Sequence, residues 1–232
     1  MRKAVYTAIV GDYDDLQPIG RRTPGWDYVC FTDSDVAPGS GWTIVPVEAA
    51  DDLDDTRRSR RPKILVHEAM GGYDLTIWHD ASMEILCDLD EFLARRMPRR
   101  AVMSVMSHPS RDCAYDEAIK CMADRRASVE ALREQMAAYD REGYPRHNGL
   151  IYGGLLVRRN TPEVGELMEL WWAEVLRHSR RDQVSFNYAL WKFGRERERP
   201  LALAVSPYDR SVFMNEFRRL GHPRRSWPPE AS

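Results

Sequence analysis

Apolar residues along this chain fall into short runs that stop at acidic or histidine-bearing loops. Residues 3–10 (KAVYTAIV) are β-branched, aromatic and few, and they end at Gly11-Asp12, as a buried strand would. Residues 26–32, 42–47, 73–78 and 101–107 repeat that pattern, and residues 149–157 give a further buried strand. Elsewhere the apolar spacing changes to three and four. Val129, Leu132, Met136 and Tyr139 make one stripe within a helix expected over 125–141. Thr161-Pro162-Glu163 combines a cap with a proline at the first helical position, and Val164, Leu167, Met168, Trp171 and Val175 form the apolar face that follows. A helix over 182–193 is expected to close at Gly194. Pro62 suits the first turn of a helix over 63–70 that ends at Gly71-Gly72. Strands alternating with helices predict an α/β fold, a mostly parallel central sheet flanked by helices. Such sheets bind ligands beyond the carboxyl ends of their strands, where Asp12, Asp33, His79-Asp80 and His108 fall.

Composition narrows the picture. The 232 residues, 43% of them apolar, suit a single domain over 1–226 with a loose tail at 227–232. The 34 basic and 36 acidic side chains leave a formal charge of −2, which argues against a nucleic-acid partner. Thirty of the basic residues are Arg and four are Lys. That skew reads either as codon bias on solvated faces or as guanidinium forks for phosphate and carboxylate. The longest apolar stretch, 149–157, is well short of the ~20 residues that span a bilayer. The basic start runs into Gly11-Asp12 without a cleavage-type tail, unlike a signal peptide. Cys30, Cys87, Cys113 and Cys121 are scattered, which argues against a zinc knuckle or disulfide framework and fits a reducing, cytoplasmic setting.

The sharpest chemical signal is residues 77–82, Ile-Trp-His-Asp-Ala-Ser. A strand delivers a carboxylate at Asp80 and a hydroxyl at Ser82, and the two point the same way if the strand continues. Mg²⁺ or Mn²⁺ needs one or two such oxygen ligands, with substrate phosphates and water completing its shell. An ordinary strand-to-turn Asp is the alternative reading of this fragment.

Several blocks together resemble the glycosyltransferase-like family of plant mucilage and cell-wall proteins and their bacterial relatives. They are Tyr6-Thr7-Ala8-Ile9-Val10-Gly11-Asp12-Tyr13-Asp14, Tyr28-Val29-Cys30-Phe31-Thr32-Asp33, Arg60-Arg61-Pro62-Lys63, Trp78-His79-Asp80-Ala81-Ser82, residues 108–117 and residues 181–187. Family 8 glycosyltransferases are similar more distantly. The resemblance implies a GT-A type nucleotide-diphospho-sugar transferase fold and transfer of a sugar, with UDP the expected carrier, to a glycan, glycoconjugate or small-molecule acceptor. It implies that Thr7, Ala8, Val10, Asp12 and Asp33 line the base or ribose site and that Arg60, Arg61 or Lys63 faces the diphosphate. The family's D-x-D metal motif becomes Asp80-Ala81-Ser82, with His222 the candidate C-terminal ligand for Mn²⁺ or Mg²⁺.

Other residues keep two readings. Arg111 is either part of a salt-linked loop or a grip on phosphate or an acceptor carboxylate, and Asp112 and Glu117 either share that loop or accept sugar hydroxyls. Gly153 and Gly154 allow close backbone approach to a ligand or tight strand packing. Asp182 is a helix cap, a base toward the acceptor, or a carboxylate that orients the donor. Trp171, Trp172 and Trp191 read as core before sugar platforms, and Trp78 as a buried strand residue. A sugar-1-phosphate nucleotidylyltransferase and a non-catalytic nucleotide- or carbohydrate-binding module are the competing functions.

Overall fold

The computed structural model describes residues 1–36, 39–49, 52–197 and 200–220. Along the chain the elements are β1 (Lys3–Ile9), β2 (Trp26–Thr32), β3 (Thr43–Pro46), α1 (Asp55–Ile64), α2 (Val66–Ala69), β4 (Leu75–His79), β5 (Met83–Ile85), α3 (Leu89–Arg96) and β6 (Met103–Ser107). They continue as α4 (Ala114–Ala123), α5 (Val129–Arg141), β7 (Ile151–Arg159), α6 (Pro162–Arg177), α7 (Asp182–Arg197), β8 (Leu203–Ser206), α8 (Val212–Asn215) and β9 (Phe217–Arg219). The expected α/β class holds: a seven-stranded, mostly parallel sheet has the order β3-β2-β1-β4-β7-β6-β8. Strands β3, β2, β1 and β4 run parallel to one another, β8 is parallel to β6, and β7 is antiparallel to both β4 and β6.

Strand alternation divides the core in two. Ala4, Tyr6, Ala8 and Trp78 point to one face, where they meet Ile64 of α1, Leu167 and Trp171 of α6, and Phe186 of α7. Val5, Ile9, Leu75 and Ile77 point to the other, against Leu89 and Phe92 of α3, Phe213 of α8 and Phe217 of β9. Both faces of the central strands are covered, which explains their nearly unbroken apolar runs.

Three expectations about helices are corrected. The first helix begins at Asp55, not at Pro62, and Asp54 caps it by accepting from Arg57 N at 3.1 Å. The acid-to-arginine switch is this helix's own charge order, carboxylates at its positive start and cations toward its end, with Pro62 in the last turn. Ser128 caps α5 by accepting from Ala131 N at 3.2 Å, so that helix starts at Val129 and not at 125. Gly194 lies inside α7, which continues to Arg197.

The sheet carries one irregularity that shapes the site. Val105 of β6 pairs with Leu156, but Met106 pairs with Tyr152, so residues 153–155 of β7 bulge out of the β6 ladder. There β7 follows the end of β4 instead, with His79 opposite Leu155 and Asp80 N donating to Gly154 O at 2.9 Å.

Candidate active site

Because β7 runs against its neighbours, its first residues emerge at the same edge as the carboxyl ends of β1, β4 and β6. A cleft of about 700 Å³ opens there. It is lined by the loop after β1, one face of α1, Asp80 with Ala81, the bulge at Gly153-Gly154, the loop after β6, and the start of α7.

Asp182, the first residue of α7, sits on its floor. Lys63 Nζ donates to Asp182 Oδ2, and Arg60 Nε lies 3.4 Å from Oδ1. The two cations are three residues apart on α1 and therefore share a helical face, whereas Arg61 turns outward to pair with Glu68 at 3.4 Å. The Lys63 and Asp182 side chains are only 3% and 4% exposed, so this is a buried ion pair. Burial alone would raise the Asp182 pKa, but the Lys63, Arg60 and Arg181 charges outweigh it and hold the carboxyl well below its usual range. Gly153 borders this pair closely. A Cβ on it would lie 3.4 Å from Lys63 Nζ and 4.0 Å from Asp182 Oδ2.

Asp80 lies across from this pair. Its backbone is held by Gly154 O, and the Trp78 indole donates to its Oδ1 at 3.2 Å. The chain turns immediately afterwards, with Met83 N donating to Asp80 O at 3.0 Å. The strand therefore does not continue, and Ser82 does not share the direction of Asp80. Ser82 is buried outside the cleft, its carbonyl accepting from Leu220 N at 2.8 Å. His79 also points away, between the rings of Trp42 and Phe217 at 5.7 and 5.9 Å. Burial pushes its pKa down to about 4. His222 and the tail at 227–232 lie outside the described residues.

The nucleotide-side expectations divide similarly. Ala8, Val10 and Asp12 line the cleft. Gly11 and Asp12 both take positive φ, 69° and 52°. The loop they form is tied down by Gly11 N donating to Asp33 Oδ1 at 3.0 Å and by Ser34 Oγ donating to Asp12 Oδ1 at 2.7 Å. Asp33 thus braces the loop from behind, paired also with Arg58 at 3.0 Å, and does not line the cleft. Thr7 is fully buried within β1.

On the β6 side, Arg111 lines the cleft and its Nε donates to Glu117 Oε2 at 2.6 Å. Asp112 does not: it is an exposed partner of His147 at 2.8 Å. Of the residues expected from sequence, Asp182, Arg111, Asp80, Ala8, Val10, Asp12, Arg60, Lys63, Gly153 and Gly154 converge on the cleft. Thr7, Asp33, Arg61, Ser82 and Asp112 stay out of it. Arg126, Arg181, Tyr208 and Arg219 also line it. Arg181 carried a visible signal in its position before Asp182, but Tyr208 and Arg219 arrive from C-terminal segments whose local sequence shows none.

Among the described residues, Cys113-Asp116-His147 and His67-Glu68-Glu169 bring three potential metal ligands together, and neither group includes a cleft residue. In the cleft, Asp80 is an acidic oxygen donor beside open space, a donor type that fits a hard divalent cation sharing its shell with phosphates.

Comparison with known proteins gives a family. Residues 29–218 match the model of the TOD1/MUCI70 glycosyltransferase-like domain, a span that includes α1, Asp80, the β7 bulge and Asp182. The chain is 24% identical over 202 residues to a probable hexosyltransferase, MUCI70, of Arabidopsis thaliana. That match covers 81% of this chain and 34% of the plant protein, so the chain spans about a third of its relative's length. The chain belongs to the TOD1/MUCI70 glycosyltransferase-like family.

Proposed function

We propose that the cleft takes a nucleotide sugar, with a UDP-linked hexose the best candidate, and transfers its sugar to a carbohydrate or glycoconjugate acceptor. The observation that carries this reading is the buried Lys63–Asp182–Arg60 group facing Asp80 at the carboxyl edge of the sheet. Glycosyl transfer builds negative charge on the departing diphosphate while the sugar becomes cationic. Fixed charges of both signs in a sheltered cleft match that separation, and their preorganisation makes them worth more there than in water. The loop at Asp12 would receive the nucleoside, and Arg60 with Lys63 would stabilise the leaving phosphate.

Asp182 is poorly suited to take a proton. A general base works best with a pKa near the operating pH, and three neighbouring cations hold this carboxyl far below it. Its role in this reading is a permanent anion that keeps Lys63 and Arg60 in place and faces the developing positive charge of the sugar. Asp80 would hold Mn²⁺ or Mg²⁺, with diphosphate oxygens and water completing the shell. Bound there, the ion would supply further neutralisation of the leaving group.

A thermal-shift series with UDP, with and without Mn²⁺, tests the reading, since a ligand that binds only the native state raises its Tm. UDP with Mn²⁺ should raise the Tm of the wild type and leave that of Asp80→Ala nearly unmoved. Equal shifts in both proteins would remove Asp80 from the site, and no shift with any nucleoside diphosphate would remove the donor assignment.

A further inference from the structure

His108 lines the cleft directly after β6, and its two ring nitrogens have unequal surroundings. Nδ1 lies 3.2 Å from the backbone N–H of Ser110 and 3.0 Å from that of Arg111, so it must be an acceptor. The proton of the neutral ring therefore sits on Nε2. Burial first, and then the Arg111 charge, lower the pKa of the ring against the opposing pull of Glu117, which favours this neutral form. Yet Nε2 lies 3.3 Å from Nη2 of Arg111, a group that can only donate. Two donors thus face one another at a distance suited to a shared acceptor. Arg111 cannot swing away freely, because its Nε is bound to Glu117 Oε2 and the Glu117 side chain is only 2% exposed.

We infer that His108 Nε2–H and Arg111 Nη2–H form an oxyanion subsite that binds a carboxylate or phosphate oxygen of a substrate. The inference rests on the glycosyltransferase reading only for the source of that oxygen: the donor's diphosphate, or an acidic group on the acceptor. The sheet places β6 two strands from β4, about 10 Å at ordinary strand spacing. The subsite is therefore set apart from Asp80 toward the side of the cleft opposite the Asp12 loop.

Nitrogen NMR of the His108 ring tests this in the unaltered protein, with His108→Gln used to assign the signal. The free protein should show the Nε2–H tautomer at neutral pH. Inorganic phosphate, glucuronate and UDP with Mg²⁺ serve as anion probes, and glucose as the neutral control. At least one anion should shift the signal while glucose leaves it in place, and Arg111→Gln should weaken that response about tenfold or more. A shift with UDP alone assigns the oxygen to the donor. A shift with glucuronate or phosphate that persists in UDP-saturated protein assigns it to the acceptor. An Nδ1–H tautomer, or silence toward all three anions while UDP still raises the Tm, overturns the subsite and leaves the donor reading standing. Loss of the UDP shift alongside a phosphate response does the reverse.

Discussion

Lys63 and Asp182 meet across 119 residues of chain, and nothing in either local sequence announces the other. What could be read was that each lies near the end of a core element. That both carry charge into the same buried spot is a property of the fold. Removing one partner of such a pair leaves the other charge buried and uncompensated, typically at about 3–5 kcal/mol. Asp182→Asn should therefore lower the urea-unfolding free energy by roughly 3 kcal/mol at pH 7, and Lys63→Met combined with Asp182→Leu should recover much of it. A double variant no more stable than the singles would contradict a net ion-pair role. The sign of the pH dependence follows from the depressed folded pKa of Asp182. Its contribution is complete above the unfolded value of about 4 and is lost as the pH falls through the folded one. The stability gap between wild type and Asp182→Asn should accordingly narrow as the pH is lowered from 7 to 3; a gap that widens would show that the carboxyl is not stabilised as the anion.

At the scale of elements, legibility followed the strength of local patterning. Strands buried on both faces, β1, β2, β4 and β7, stand out as apolar runs, and α6 carries its cap, proline and stripe together. The three-residue strands β5 and β9 pair with one another outside the main sheet and are too short to show a period. Ser82 illustrates a subtler failure. Its expected alignment with Asp80 assumed a strand that the Asp80–Met83 turn cuts short. Asp33 sits at a strand end as expected, but its carboxylate is spent on bracing the neighbouring loop. That loop gives a prediction of its own. Gly11 has a φ of 69°, and a Cβ there would lie 2.5 Å from Asp55 Oδ2. Gly11→Ala should destabilise the protein by more than about 1 kcal/mol in urea melts and weaken UDP binding in calorimetry. Wild-type affinity in that variant would place the nucleoside elsewhere.

Over the whole molecule, one α/β unit brings strand ends, a helix face and a helix start from nearly the full described chain to a single edge. All four cysteines are buried and free within it. Burial pushes Cys30 and Cys87 up to about 12, where the reactive thiolate is scarce. Native protein at pH 8 should take up almost no iodoacetamide by intact mass, while protein in urea without reductant takes up four equivalents. Uptake of two in urea would reveal a disulfide. The 30 arginines, ambiguous as a count, separate by position. Arg58 and Arg61 are tied to outer carboxylates, while Arg60 and Arg111 face the cleft. The near-zero net charge thus coexists with a group of cations in the cleft, the proposed seat of the leaving diphosphate. That site's chemistry is tested most directly by release of nucleoside diphosphate from a panel of nucleotide sugars with Mn²⁺, using wild type and Asp80→Ala of equal Tm. The wild type should release UDP from a UDP-sugar, stimulated by acceptor, and the variant should do so about 100-fold or more slowly. No release from any nucleotide sugar, or release undiminished in Asp80→Ala, would contradict the proposed function.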